Sequence, residues 1–243
     1  MVRATKVRAS KVVRLLGAPG LWPAMVPALR AGVFPSLEHS AIHFGAQFAT
    51  VVDVGASRGQ FGLFALARFP HARLICFEPL PRALATATRL LDGGRTEFHG
   101  VALGAVTGQM TLHVSARDDC SSLLPIGRRC VEAFPGTQER TTIAVTVDVL
   151  EHYLSSDLPR PCLVKIDVQG SELDVLRGAG DALSVVDEVL VEVSFAELYT
   201  GQARADAVIS FLADRGVRLV DVCGVARGAD GAAIQADLLF RRD

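Results

Sequence analysis

From Thr50 onward, short β-branched runs alternate with stretches of helical period, and few architectures accept that rhythm. Strands are predicted at 50–54, 73–77, 96–103, 110–114, 143–147, 163–168, 188–193, 217–222 and 236–240. Helices are predicted at Gln60–Phe69, Pro81–Leu91, from Ser171 (with a capping box, Ser171-x-x-Asp174) and at Ala203–Arg215. Strands separated by helices imply βαβ units, hence an α/β fold with a mostly parallel central sheet flanked by helices on both faces. The segment Arg117–Thr142, with Pro125, Gly127, Pro135 and Gly136, has no long apolar period. A connection of that length inside a compact domain reads as a functional loop or lid.

Charge divides the chain. Residues 1–50 hold six Lys/Arg against the single acid Glu38, a net of +5, and the remainder holds 19 bases against 25 acids, a net of −6. An acidic body argues against a nucleic-acid face, which normally shows as a basic stripe. The organisation expected is an N-terminal basic, helical arm over 1–48 and one domain over 49–243. The stretch Leu15–Leu29 imitates a signal sequence, but Pro19, Pro23 and Pro27 interrupt it and Arg30 ends it, so no membrane span is expected. The arm is expected to cover the acceptor side of a site or a subunit contact. Five cysteines without a C-x-x-C pair fit a reducing, cytoplasmic setting and no zinc site.

The strongest chemical signal is Asp53-Val-Gly55-Ala56-Ser57-Arg-Gly59, between a strand and a helix. Glycines there permit a tight turn and bring backbone N–H groups of a helix start close to a ligand. Three readings compete. The dinucleotide fingerprint G-x-G-x-x-G is not matched. A nucleophile elbow, G-x-S-x-G, fits literally, but it needs a histidine after the triad acid, and the last histidine is His152. The third reading is the S-adenosylmethionine loop of class I methyltransferases. It requires an acid at the end of the second strand to hold the ribose hydroxyls. Glu78, followed by Pro79, stands there, 19 residues after Gly59.

Together with these motifs, Val101-Ala102-Leu103-Gly104, Ser121-Ser122-Leu123, Leu163-Val-Lys165-Ile-Asp167-Val-Gln169-Gly170-Ser-Glu172-Leu, Val175-Leu-Arg177-Gly178, Glu192-Val-Ser-Phe195 and Gln235-Ala-Asp237 appear in an order that resembles the FkbM family of S-adenosylmethionine-dependent methyltransferases over residues 50–241. The resemblance implies a Rossmann-like class I methyltransferase fold and O-methylation of a small-molecule hydroxyl, commonly on a sugar or polyketide-type product. It implies S-adenosylmethionine as cofactor, S-adenosylhomocysteine as product and no nucleic-acid partner, and leaves a homodimer open. Carried over by position, Gly55, Ala56, Ser57 and Gly59 form the methionine-side loop, Asp53 acts on the cofactor through that loop or at its positive end, and Asp167 also contacts the cofactor. Glu78 and Pro79 meet the ribose, and Ala102 and Leu103 meet adenine. The alternative is a cofactor-binding module with a regulatory role.

Methyl transfer to oxygen is an in-line displacement that a positioned base assists. Lys165 and Asp167 are two apart in a strand pattern and share a face, with Asp167 at the carboxyl end where open α/β sheets bind ligands. Asp167 is expected as base or acceptor-orienting carboxylate. Lys165 is expected to pair with it or to carry a lowered pKa, and Glu192 is a second base candidate. Asp167 and Glu192 would be the oxygen ligands of a Mg²⁺ ion, although no metal is expected. His39 and His43, four apart as on one helical face, and Ser121 and Ser122 are expected near the acceptor.

Overall fold

The structure, a computed structural model, describes residues 28–243. Its central sheet has seven strands: β1 (Thr50–Val54), β2 (Arg73–Phe77), β3 (Thr96–His99), β7 (Cys162–Ile166), β8 (Glu188–Ser194), β9 (Val217–Arg227) and β10 (Ala233–Arg242). They lie in the order β3-β2-β1-β7-β8-β10-β9. The first five are parallel, and β10 enters antiparallel to both β8 and β9. Strand order reverses between β1 and β7, which opens a crevice above their carboxyl ends.

Alternation along the strands builds two cores. Val52, Val54, Val164 and Ile166 face one side, where α4 (Glu172–Gly178) and α5 (Ala205–Ala213) contribute Leu176, Val208 and Leu212. Val51, Leu74, Leu163 and Leu190 face the other, against α1 (Gln60–Arg68) and α2 (Pro81–Leu91). All five residues of β1 and of β7 are buried, as central strands covered on both faces require. Ala28, Val33, Ile42 and Phe48 join the second core, so the described part of the N-terminal segment packs against the sheet. The rest of the expected arm, residues 1–27, lies outside the described residues.

Two expectations are corrected. The single strand predicted at 96–103 divides: β3 stays in the main sheet, while β4 (Ala102–Leu103) pairs in parallel with β6 (Glu139–Asp148) of a separate three-stranded sheet. That sheet is completed by β5 (Gly108–Ser115), antiparallel to β6. The capping box does not form. Ser171 caps α4 through no side-chain hydrogen bond, and the neighbouring Glu172 carboxylate instead accepts the N–H groups of Val168 and Gly170. Residues 117–138 contain a 3₁₀ turn at Asp118–Cys120 and a short helix, α3 (Arg128–Ala133). Cys130 anchors this segment against Leu198, Tyr199 and Ile234.

Candidate active site

A cleft of about 510 Å³ opens at the strand-order reversal. Its floor follows from the turn after β1. Gly55 and Ala56 donate their N–H groups to Phe77 O at 3.0 and 2.9 Å, locking the turn onto β2. Gly55 has φ +80°, and a Cβ there would lie 1.9 Å from Asp167 O, so only glycine allows the turn to press against the end of β7. Gly59 shapes the entry to α1 at φ +90° and does not line the cleft.

Glu78 sits on the cleft wall and is buried. Its Oε2 accepts Ser57 N–H at 2.9 Å and its Oε1 accepts Leu80 N–H at 2.8 Å. Burial pushes its pKa up to about 7 against the pull of these two bonds. Pro79, Ala102 and Leu103 line the same wall.

Beneath the turn, Lys165 Nζ stands 3.3 Å from Asp53 Oδ1, 3.3 Å from Gly55 O and 3.5 Å from Asp167 Oδ2. Burial alone would lower the lysine pKa, but Asp53 and Asp167 outweigh it and hold it above the ordinary value. The expected lowered pKa is therefore corrected: Lys165 is a permanent cation. Asp53, fully buried and absent from the cleft wall, supports the lysine from below and does not face a ligand. Asp167 falls one residue past β7, and its side chain joins the cleft beside Lys165.

Glu192 also lines the cleft, and Gln169 and Gln235 donate to its Oε2 at 3.2 and 2.9 Å. Burial first, then Asp167, Asp237 and Glu172, raises its pKa well above the ordinary carboxylate range. That burial favours the neutral form, and the two amides fix how the carboxyl group is turned.

His39 and His43 do not share a helical face. The chain makes only a 3₁₀ turn at Leu37–Ala41, which carries His39 into the cleft and leaves His43 beyond it and exposed. His39 Nε2 lies 3.5 Å from Asp237 Oδ2, with its ring edge-on to Phe61. Ser121 and Ser122 both line the cleft and both serve structure. Ser121 Oγ accepts Ser115 N–H, and Ser122 Oγ donates to Gln169 O at 2.6 Å. Among the described residues, no group of three or more His, Cys, Asp or Glu is arranged to hold a metal ion. Sequence reasoning assigned no role to Gln169, Tyr199, Gln235, Asp237 or Glu172. All but Tyr199 stand inside the motifs given above, and nothing in their spacing announces their hydrogen bonds.

A mostly parallel sheet of this order, with its cleft at the reversal point and an acid at the end of β2, is the Rossmann-like class I methyltransferase arrangement. Residues 53–219 match the methyltransferase FkbM domain, and the chain belongs to that family. The 2-O-methyltransferase NoeI of Sinorhizobium fredii is 28% identical over 170 residues, covering 67% of this chain and 70% of its own. Methyltransferase 1 of Beauveria bassiana is 30% identical over 161 residues, covering 59% and 64% respectively. The hexuronic acid methyltransferase AglP of Haloferax volcanii is 49% identical over 141 residues, covering 58% and 54%. The chain thus spans between 54% and 70% of the length of these relatives. Among solved structures, the mitomycin 7-O-methyltransferase MmcR aligns over 85% of this chain and 52% of its own, at 16% identity and a TM-score of 0.46.

Proposed function

We propose that this protein transfers a methyl group from S-adenosylmethionine to a hydroxyl of a small, polar acceptor of the sugar type. The observation that carries the reading is Asp167, held beside a buried lysine ammonium at the carboxyl end of β7, in the same cleft as Glu78. The residues present fit the cofactor. Each Glu78 oxygen has accepted one backbone N–H and keeps a lone pair, which suits it to a ribose diol. Ala102 and Leu103 offer an apolar wall to adenine, and the Gly55–Ala56–Ser57 turn, shaped by Gly59, offers close backbone approach to the methionine end. When bound, S-adenosylmethionine supplies a sulfonium-activated methyl group.

Asp167 orients the acceptor hydroxyl and takes its proton, while Lys165 holds the carboxylate in place. Glu192, on the same cleft lining, offers a further polar group to the acceptor. His39 and Asp237 present further polar atoms across the cleft, a lining that suits a polyol better than an apolar phenol. The names of two relatives, a 2-O-methyltransferase and a hexuronic acid methyltransferase, support this acceptor class. No step of this reading uses a metal. Among the described residues, no helix is long and apolar enough to cross a membrane. The five thiols, none of them in a disulfide, fit a reducing compartment.

The test incubates the protein with methyl-labelled S-adenosylmethionine and defined glycosides of hexuronic acids and neutral hexoses, then with a small-molecule cell extract. Acceptor-dependent S-adenosylhomocysteine and label on a carbohydrate oxygen are expected. Cofactor binding without any acceptor-dependent turnover would leave a binding module instead. Label found only on protein or nucleic acid would overturn the acceptor class.

A further inference from the structure

We propose that Gln169 is a positioning residue, whose side-chain amide clamps the carboxyl groups of Asp167 and Glu192 into one fixed arrangement. The inference rests on the reading of Asp167 as the base.

The backbone gives the first argument. Gln169 has φ +57°, and among the described non-glycine residues only Ser57 shares a positive φ. An L-residue is disfavoured there because its Cβ crowds the carbonyl, and glutamine lacks the short side chain that lets Asn or Asp bond locally. Such strain persists only where the surroundings over-determine it. Here they do. Ser122 Oγ donates to Gln169 O at 2.6 Å, and Glu172 Oε1 accepts Gly170 N–H at 2.8 Å and Val168 N–H at 3.3 Å. The Tyr199 ring packs so closely that a Cβ on Gly170 would lie 3.1 Å from it. Three separate elements thus hold one residue in a conformation that glycine would adopt freely.

The side chain gives the second argument. Gln169 Nε2 carries two N–H groups, and each meets a different carboxyl oxygen: Asp167 Oδ1 at 2.6 Å and Glu192 Oε2 at 3.2 Å. Its Oε1 can only accept, and Tyr199 O–H donates to it at 2.6 Å. Reversing the amide would set its carbonyl oxygen against Asp167, so the orientation is set by charge. The tyrosine keeps its proton, since burial holds its pKa above the ordinary value.

Glu192 faces Asp167, Asp237 and Glu172 as well as Lys165. Asp167 keeps its Oδ1 toward the amide and its Oδ2 toward Lys165. Each of those oxygens retains a lone pair for the acceptor hydroxyl. Without Gln169 the aspartate would be held by Lys165 alone, at 3.5 Å, and a carboxylate held at one oxygen can pivot, while transfer depends on its aim.

Gln169→Gly separates positioning from structure, because glycine accepts φ +57° and removes the side chain with its amide, while Tyr199 O–H keeps the Cys120 carbonyl, 3.2 Å away, as acceptor. Thermal melting should be unchanged or raised. Carboxyl-labelled protein followed by ¹³C NMR should show the Glu192 resonance, assigned with Glu192→Gln, titrating at higher pH in the variant, because an N–H donor to its charged form is gone. That measurement decides the clamp with no acceptor at all. On an acceptor from the screen above, kcat should fall roughly a hundredfold while KM for S-adenosylmethionine stays within about twofold. Unchanged titration and unchanged kcat would overturn the proposal. Loss of turnover in Asp167→Asn alongside a normal Gln169→Gly would overturn the clamp alone. Full turnover in Asp167→Asn would remove the base reading, and with it any catalytic purpose for the clamp.

Discussion

Lys165 lies directly opposite Asp53 in the parallel register of β7 and β1, and its ammonium stands 3.3 Å from Asp53 Oδ1. The aspartate is wholly buried, and burial raises its pKa in spite of the lysine. Removing the cation leaves a buried carboxylate to discharge. Lys165→Met should cost about 3–5 kcal/mol in urea unfolding, and Lys165→Met with Asp53→Asn should recover part of it. The sign with pH follows from linkage. A folded-state acid pKa above the unfolded one makes stability fall as pH rises, so the single variant should be weaker at pH 8 than at pH 5. A flat pH profile, or a double variant no better than the single, would show that the pair is not what supports β1.

Gly55 and Gly201 share nearly the same backbone angle, φ +80° and +81°, but not the same surroundings. A Cβ on Gly201 meets nothing within 4 Å, whereas on Gly55 it strikes the backbone of Asp167. Gly201→Ala should therefore cost only the conformational term, about 1–2 kcal/mol. Gly55→Ala should cost clearly more and also lower cofactor affinity, because the β1 turn and the Asp167 backbone must separate. Chemical denaturation and calorimetric titration with S-adenosylhomocysteine compare the two. Equal losses would remove the argument from close approach.

Glu78 and Glu172 are both buried, and burial pushes each up to about 7. Between the unfolded carboxylate pKa and 7, the folded state binds more protons than the unfolded chain, so stability should decline as pH rises through that window. Gln in place of Glu172 can still accept the Val168 and Gly170 N–H groups without titrating, and should flatten the decline by about 1–3 kcal/mol between pH 5 and pH 8. For Glu78 the consequence is binding. A carboxylate accepts from a diol better than its acid does, so S-adenosylhomocysteine affinity should strengthen as pH rises through about 7. Glu78→Gln should bind more weakly and lose that dependence.

The parts legible in the sequence were those governed by local rules. The β1 turn could be read because glycines punctuate it, and Glu78 because a strand ends there at a telling distance from Gly59. What escaped depends on partners far along the chain. Nothing near Ala102 and Leu103 says that they leave the main sheet to pair with Val147 and Asp148. Nothing near Gln235 says that β10 inserts between β8 and β9. The four-residue spacing of His39 and His43 suggested a helix, but Ile42 is already extended. Ser171 and Asp174 match a capping pattern, yet Asp174 N–H donates to the Ser171 carbonyl at 3.1 Å and the Asp174 carboxylate accepts from Arg177 at 3.0 Å. Gln169 was hidden for a similar reason: its importance lies in a backbone angle and in Tyr199, 30 residues away.

Arg58, in the β1 turn, reaches the 117–138 segment and bonds Asp118 Oδ2 through Nε at 3.0 Å and Nη2 at 2.5 Å. Both side chains are more than a third exposed, so the pair should contribute no more than about 1 kcal/mol to folding. Its position matters more than its strength. Asp118 lines the main cleft, and both residues line a second hollow of about 340 Å³ beside it, so the pair bridges the two sides of the opening. Asp118→Asn should leave the unfolding midpoint almost unmoved but release S-adenosylhomocysteine faster, by roughly the fewfold that an exposed ion pair is worth. Salt should separate this from a general loosening. Added salt screens the native pair and should speed release from the wild type, while the variant, with no pair to screen, should release at a rate that barely changes. Stopped-flow displacement at low and high ionic strength reads both. Equal salt sensitivity in the two proteins would mean that the bridge does not hold the cleft closed over its ligand.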